Sequence, residues 1–204
     1  MNDINENNKA DHALVERVLS GNTNAFSIII AYTERLVAQI VFKMISNSED
    51  RKDIAQDVYL KAFKNLSGFK HQSKLSTWIG KIAYNTCLNY IEKKKLVLID
   101  ASFEKGRDDD EAIEIINFNA VVHSANNIEA FIHNKELSKI LTSEIEALPT
   151  IYKTLITLYH NEELSYTEIA QITELPEGTI KSYLYRARKM LKENLSKSYK
   201  KDEI

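Results

Sequence analysis

Cysteine is all but missing from this chain. Cys87 stands alone among 204 residues, which excludes an internal disulfide and, with no Cys/His spacing that suits zinc, a structural zinc site. Five glycines and two prolines leave little material for hairpins and tight turns, so a mostly helical protein is expected. His12, His71, His123, His133 and His160 are scattered with no i, i+4 pairing, and neither a metal nor a cofactor is expected. Also absent are a glycine-rich phosphate loop and a G-x-S-x-G elbow, so the chain reads as a non-enzyme. Asp53 and Asp57 lie i, i+4 on one helix but lack a nearby histidine, which suits a solvated or protein-binding face better than a metal. No apolar run approaches the roughly 18 residues of a membrane span. Met1–Asn8 are polar, without the apolar centre of a signal peptide. The expectation is a cytoplasmic chain with no membrane insertion. Cys87, among apolar neighbours, reads as a packed small hydrophobe rather than a reactive thiol.

A dominant charge is missing too: the formal net charge is −2. Its distribution is uneven. From Lys61 to Lys95 eight cations face Glu92 alone, and from Glu177 to Lys201 eight cations face two acids. Between these blocks, Val97 to Glu136 carries nine acids against three cations. Two basic blocks around an acidic one suit a protein that touches nucleic acid at two separated places.

What is present is a strong local motif near the C-terminal end. Ser165 and Glu168 stand in capping-box spacing at the start of a short helix bearing Ile169 and Ile172. Pro176 breaks that helix and opens the next. In the second helix Ile180, Leu184, Ala187, Leu191 and Leu195 form one apolar stripe, and the opposite face shows Lys181, Ser182, Tyr185, Arg188, Lys189 and Lys192. This is the layout of a helix-turn-helix offering its second helix to a DNA major groove.

Upstream, apolar periodicity predicts helices over about His12–Leu19, Asn24–Ile45, Asp50–Leu66 and Ser76–Lys94, enough to close a core. Periodicity fails from Val97 to about Asn127, where Arg107-Asp108-Asp109-Asp110-Glu111 is a charge run. Further helices are expected at about Asn134–Glu146 and Thr150–His160, before the helix-turn-helix. The fold class expected is all-α: a four-helix body over 10–96, an acidic linker over 97–127, and a helix-turn-helix body over 128–198.

The stretch Asp53-Ile54-Ala55-Gln56-Asp57-Val58-Tyr59-Leu60-Lys61-Ala62-Phe63 resembles the D-L-x-Q-E-x-F-x-x-A-[FW] helix of bacterial RNA polymerase sigma factors. Leu75-Ser76-Thr77-Trp78-Ile79-Gly80-Lys81-Ile82-Ala83-Tyr84-Asn85 is similar to the family's F-x-T-W-L-x-x-I-A-x-N segment. Ala147-Leu148-Pro149, Ser165–Ala170 and Gly178-Thr179-Ile180-Lys181-Ser182 resemble its promoter-reading end, and the two-domain extracytoplasmic-function (ECF) subfamily fits best. Asp57 replaces a usual Glu, Leu75 a usual Phe, and the turn Thr173-Glu174-Leu175 lacks a Gly.

The resemblance implies an initiation factor that binds core RNA polymerase and directs it to promoter DNA. Asp53, Gln56 and Asp57 would face the clamp helices of the largest polymerase subunit. Lys70, His71, Gln72, Ser73, Lys74, Lys81 and Asn85 would read and open the minus-ten element, with cations along the strand and an amide for an unstacked base. Thr179, Lys181, Ser182, Tyr183, Tyr185 and Arg186 would read the minus-thirty-five element. Trp78 reads as core or as a wedge at the duplex edge, and Tyr183 as a DNA contact or a packing residue. The linker acids read as a nucleic-acid mimic in the RNA exit path or as a solvated tether. The chain would act as a monomer on polymerase, with room for an anti-sigma factor. The other reading is a stand-alone helix-turn-helix regulator, which leaves the first body without a task.

Overall fold

The computed structural model describes residues 2–104 and 138–201, and among these there is no β-strand. The helices are α1 (Asn2–Leu19), α2 (Asn24–Met44), α3 (Ser48–Lys64), α4 (Leu75–Glu104), α5 (138–146), α6 (Thr150–Ile156), α7 (Tyr166–Thr173) and α8 (Glu177–Lys201). A 3-10 turn, Leu66–Gly68, follows α3, and α6 runs on into a π-helical turn, Thr157–Asn161. The charge run 107–111 and the rest of 105–137 lie outside the described residues.

α2 is the central strut. It buries Phe26, Ile29, Thr33, Leu36, Val37, Ile40, Val41 and Met44 at helical spacing, packing on α1, α3, α4 and α6. By length and composition this helix is apolar enough to cross a membrane, contrary to the expectation that no run approaches that length. Its stripe instead faces the core of a helical bundle, so burial in protein accounts for its hydropathy.

The corner from α2 to α3 is fixed by Arg51, whose Nε donates to the Ile45 carbonyl at 2.8 Å while its guanidinium lies 4.8 Å from the Phe42 ring centroid. The Asn47 side chain caps α3 by accepting the Glu49 N–H at 2.9 Å. Glu49 and Asp50 in its first turn and Lys61 and Lys64 in its last complement the helix dipole. The Tyr90 hydroxyl donates to Asp50, tying α4 to α3 and pushing the phenol up to about 12. Cys87 is fully buried, and burial pushes its thiol up to about 12.

Two boundaries differ from the sequence expectation. α1 starts ten residues before His12. α4 continues through Glu104, so the first eight residues of the expected 97–127 linker are helical; no glycine or proline interrupts Leu96–Glu104. The larger difference is in packing. The two helical bodies share one buried apolar cluster, with α4 lying on α7 and α2 on α6. At the crossing of α4 and α7 a Cβ on Gly80 would stand 3.1 Å from Ile172 Cδ1 and 3.3 Å from Leu36 Cδ2. Glycine there lets the two helices approach.

Candidate polymerase and nucleic-acid interfaces

On α3 the buried positions Ile54, Val58 and Ala62 leave Asp53, Gln56 and Asp57 on the opposite, exposed face. Their side chains have no hydrogen-bond or ion-pair partner among the described residues. Leu60 continues the same stripe at 50% exposure, and Phe63 beside it is 44% exposed. A short acidic and amide cluster bordered by uncovered apolar groups is the composition of a protein-binding face. The two apolar residues were missed in the sequence because an apolar residue on a helix reads as core until its face is known.

The loop before α4 is held from α1. The Asp11 carboxylate, 8% exposed, accepts the Leu75 N–H at 2.9 Å and so caps α4 across 64 positions of sequence. The next residue, His12, stacks on His71 with ring centroids 4.3 Å apart. His71 takes a left-handed φ of 55° and also meets Phe69 at 4.6 Å. Phe69 is buried and lies 5.3 Å from the half-buried ring of Trp78, which places Trp78 against the core. Lys70 and Gln72 are exposed, and Ser73 donates to the Lys74 carbonyl.

Lys74, Lys81 and Asn85 lie at the start of α4 and along its outer face, where both ammonium groups are paired although the side chains stay 39% and 42% exposed. Lys74 Nζ is 2.8 Å from Glu168 Oε1, and Lys81 Nζ is 2.7 Å from Glu174 Oε1. The bond to Glu168 raises the Lys74 ammonium above its ordinary value. Lys81, then the Asn85 amide, hold the Glu174 carboxyl low. For Glu168 burial works upward, but the bonds from Lys74 and Ser165 outweigh it and the net shift is down.

The helix-turn-helix forms as its spacing predicts. The Glu168 N–H donates to Ser165 Oγ at 3.2 Å and the Ser165 N–H to Glu168 Oε2 at 2.9 Å, a complete capping box. The turn that lacks glycine is made by Glu174 in the left-handed region at φ 59°, its N–H returning to the Ala170 carbonyl at 2.8 Å. Thr167 donates to Glu177 at 2.7 Å, joining α7 to α8. Ile180, Leu184, Ala187 and Leu191 are buried, which leaves Lys181, Ser182, Tyr185 and Arg186 exposed along one side of α8. Thr179 is half-buried; so is Tyr183, whose ring meets the edge of Tyr152 on α6 at 5.5 Å.

An aromatic rail, not anticipated from the sequence, runs beside α8. Tyr159 and Tyr166 stack at 5.1 Å. Lys181 sits 5.2 Å from the Tyr166 centroid and Arg188 sits 5.2 Å from that of Tyr159. Burial, then the nearby Arg188, lowers the His160 imidazole. Each ring of the pair thus carries one cation of α8 over it, at cation–π distance.

Fold and surfaces together define a two-domain, helix-turn-helix DNA-binding protein. The family description "Sigma-70 region 2" matches residues 29–97, and "Sigma-70, region 4" matches residues 138–191. The chain is 34% identical over 183 residues to the ECF RNA polymerase sigma-E factor of Escherichia coli, covering 89% of this chain and 92% of that one. It is 32% identical over 187 residues to the protein of the same name in Haemophilus influenzae, covering 91% and 95%. Among solved structures, it is similar to the sigma factor RpoE of Bartonella quintana in complex with the anti-sigma factor NepR, with TM-score 0.65 at 20% identity over 84% of this chain and 96% of that one. CnrH in complex with the cytosolic domain of CnrY gives a TM-score of 0.58, also at 20% identity, over 92% and 97%. The chain belongs to the ECF family of RNA polymerase sigma factors. It is a transcription initiation factor that directs RNA polymerase to promoters.

Proposed function

We propose that the two halves of the chain divide the work of initiation. The first domain, 10–96, holds core polymerase through Asp53, Gln56 and Asp57. It captures the opened minus-ten strand through Lys70, His71, Gln72, Ser73, Lys74, Lys81 and Asn85. The second domain, 128–198, reads the minus-thirty-five duplex through Thr179, Lys181, Ser182, Tyr183, Tyr185 and Arg186. Residues 97–127 connect them. No step requires a metal, a cofactor or bond chemistry by the chain, and the site of action is the cytoplasm, as a monomer on polymerase.

The observation that carries this reading is the unpartnered Asp53/Gln56/Asp57 face on α3, bordered by exposed Leu60 and Phe63. Short carboxylates and amides there can pair with arginine or lysine of a partner and set register. A stand-alone regulator would have no use for that face. Two of the similar solved structures are described as complexes with anti-sigma partners, which supports an anti-sigma factor as a partner of this chain as well.

The test is a pull-down of core polymerase with Asp53→Arg/Asp57→Arg. Both positions are exposed, so the melting temperature stays at the wild-type value while co-purification in ordinary salt is lost. Wild-type recovery of polymerase by the double variant overturns the assignment.

A further inference from the structure

We propose that Tyr159 and Tyr166 are positioning residues for duplex binding, and that the two cations they hold, Lys181 and Arg188, take the phosphate backbone along one edge of α8. This rests on the assignment of α8 to the minus-thirty-five element, and it adds Arg188 and the two tyrosines to that surface.

The helix itself supplies the edge. Lys181, Tyr185, Arg188 and Lys192 recur at i, i+4, i+7 and i+11, so they form one line along α8, and all four are exposed. The buried stripe of Ile180, Leu184, Ala187 and Leu191 lies to one side of that line. Ser182, Arg186 and Lys189, also exposed, lie to the other. A helix with its side chains is about 10–12 Å across and the major groove about 12 Å wide, so an edge of the helix meets the groove wall, which is phosphate.

The two cations on this edge are ordered without being neutralised. Elsewhere a carboxylate does the ordering: Lys43 pairs with Glu146, Lys74 with Glu168 and Lys81 with Glu174. Among the described residues neither Lys181 nor Arg188 has a carboxylate partner. Lys181 lies over Tyr166, Tyr166 stacks on Tyr159 with planes 17° apart, and Tyr159 carries Arg188. The contacts run in series: cation, ring, ring, cation. A ring orients a cation through its quadrupole and leaves the charge whole, whereas a carboxylate cancels it. The second restraint on Arg188 has the same character. Its Nη2 stands 3.2 Å from Nε2 of His160, an uncharged acceptor when the imidazole is neutral. Burial, then Arg188 itself, holds that imidazole below its ordinary value.

The platform belongs to the domain and not to α8. Tyr159 sits on the π-helical turn and Tyr166 opens α7, and both rings are half-buried against the core. Long basic side chains lose rotamer freedom when they meet a ligand, and side chains already confined lose less. The stack therefore presents two charges to a phosphate backbone before it arrives.

The experiment follows the anisotropy of a fluorescein-labelled short duplex of mixed sequence with the full chain, across about 50–200 mM salt. Arg188→Gln should reduce the slope of log affinity against log salt by about 0.9, the signature of one lost phosphate contact. Tyr159→Leu should weaken binding about threefold, the scale of an exposed cation–π contact. Tyr159→Phe keeps the ring and should match wild type in affinity and slope. In the Arg188→Gln background Tyr159→Leu should add nothing, and Tyr166→Leu should add nothing to Lys181→Gln. Tyr159→Met replaces Tyr159→Leu should melting curves show the latter unfolded. An unchanged slope in Arg188→Gln overturns the proposal. If Lys181→Gln and Arg186→Ala still weaken binding, the assignment of α8 to the duplex survives that failure; if none of the three matters, it fails as well. Equal loss from Tyr159→Leu in both backgrounds overturns the positioning role, because Tyr159 then does not act through Arg188. Equal loss in Tyr159→Phe and Tyr159→Leu overturns it too, because the hydroxyl and not the ring is then what binding needs.

Discussion

Removing the Asp11 carboxylate should weaken the protein in two distinguishable ways. Asp11 accepts the Leu75 N–H inside the protein, where both groups are sealed from water. In Asp11→Ala that donor keeps its desolvation cost and loses its partner. A lost cap costs about 0.5–2 kcal/mol and an orphaned buried donor about 1–3 kcal/mol. The two descriptions overlap, so the expected loss is about 2 kcal/mol. For a chain of this size that lowers the melting temperature by about 4–8 °C. Asp11→Asn keeps an acceptor and loses only the favourable charge at the helix N-terminus, about 0.3–1 kcal/mol, so its melting point should lie between the other two. The second effect is on promoter opening. Asp11 and its neighbour His12 hold both the first turn of α4 and His71 of the preceding loop. Well below its melting temperature, Asp11→Ala should still open promoters more slowly than wild type, with closed-complex formation unchanged. Equal melting of Ala and Asn variants would refute the capping argument. A destabilised Ala variant with wild-type opening would show that Asp11 holds the fold without positioning the loop.

Two further predictions concern the folded chain alone. Burial raises the Cys87 thiol from 9.0 to about 12 and the bond to Asp50 raises Tyr90 from 10.0 to about 12. The unfolded chain therefore releases protons that the folded one keeps, and stability falls as pH rises toward 12, from about 9 for Cys87 and from about 10 for Tyr90; the slope approaches about 1.4 kcal/mol per unit for buried Cys87 and is smaller for Tyr90, whose bond to Asp50 is screened by solvent. Denaturant midpoints at alkaline pH should show this with a shallower fall in Cys87→Ala, and a flat profile would contradict it. The isolated chain should also bind duplex weakly, since one helix-turn-helix makes few contacts without a paired half-site. Tight, sequence-specific binding at physiological salt, read by gel shift, would restore the stand-alone regulator.

Local chemistry was legible in the sequence and distant chemistry was not. The Ser165/Glu168 box is written in three-residue spacing and forms as read, and Ile180, Leu184, Ala187 and Leu191 are buried as their period requires. The all-α class followed from scarce glycine and proline together with helical periods. By contrast, Asp11 lies 64 residues from the N–H it caps, and Lys81 lies 93 from Glu174. No period links such pairs. Lys74 and Lys81 therefore looked like free cations when they are paired across domains. Glu174 could not be read as the left-handed turn residue, because glycine or asparagine is the usual signal there. Nor does any local signal tell that Gly80 lies where Ile172 of a distant helix approaches, with its Cδ1 3.1 Å from where a Cβ would stand.

The division of labour between the two domains is tested most directly by permanganate footprinting of melted thymines, paired with a gel shift of the holoenzyme on one promoter. Asn85→Ala should impair strand opening and leave closed-complex recruitment nearly intact, because only the amide partner of an unstacked base is lost. Arg186→Ala should weaken recruitment by about 1–3 kcal/mol if it reads a base edge bidentately, while complexes that do form should open normally. Equal loss of both steps in both variants, with melting curves unchanged, would contradict the account and point to a single composite DNA site.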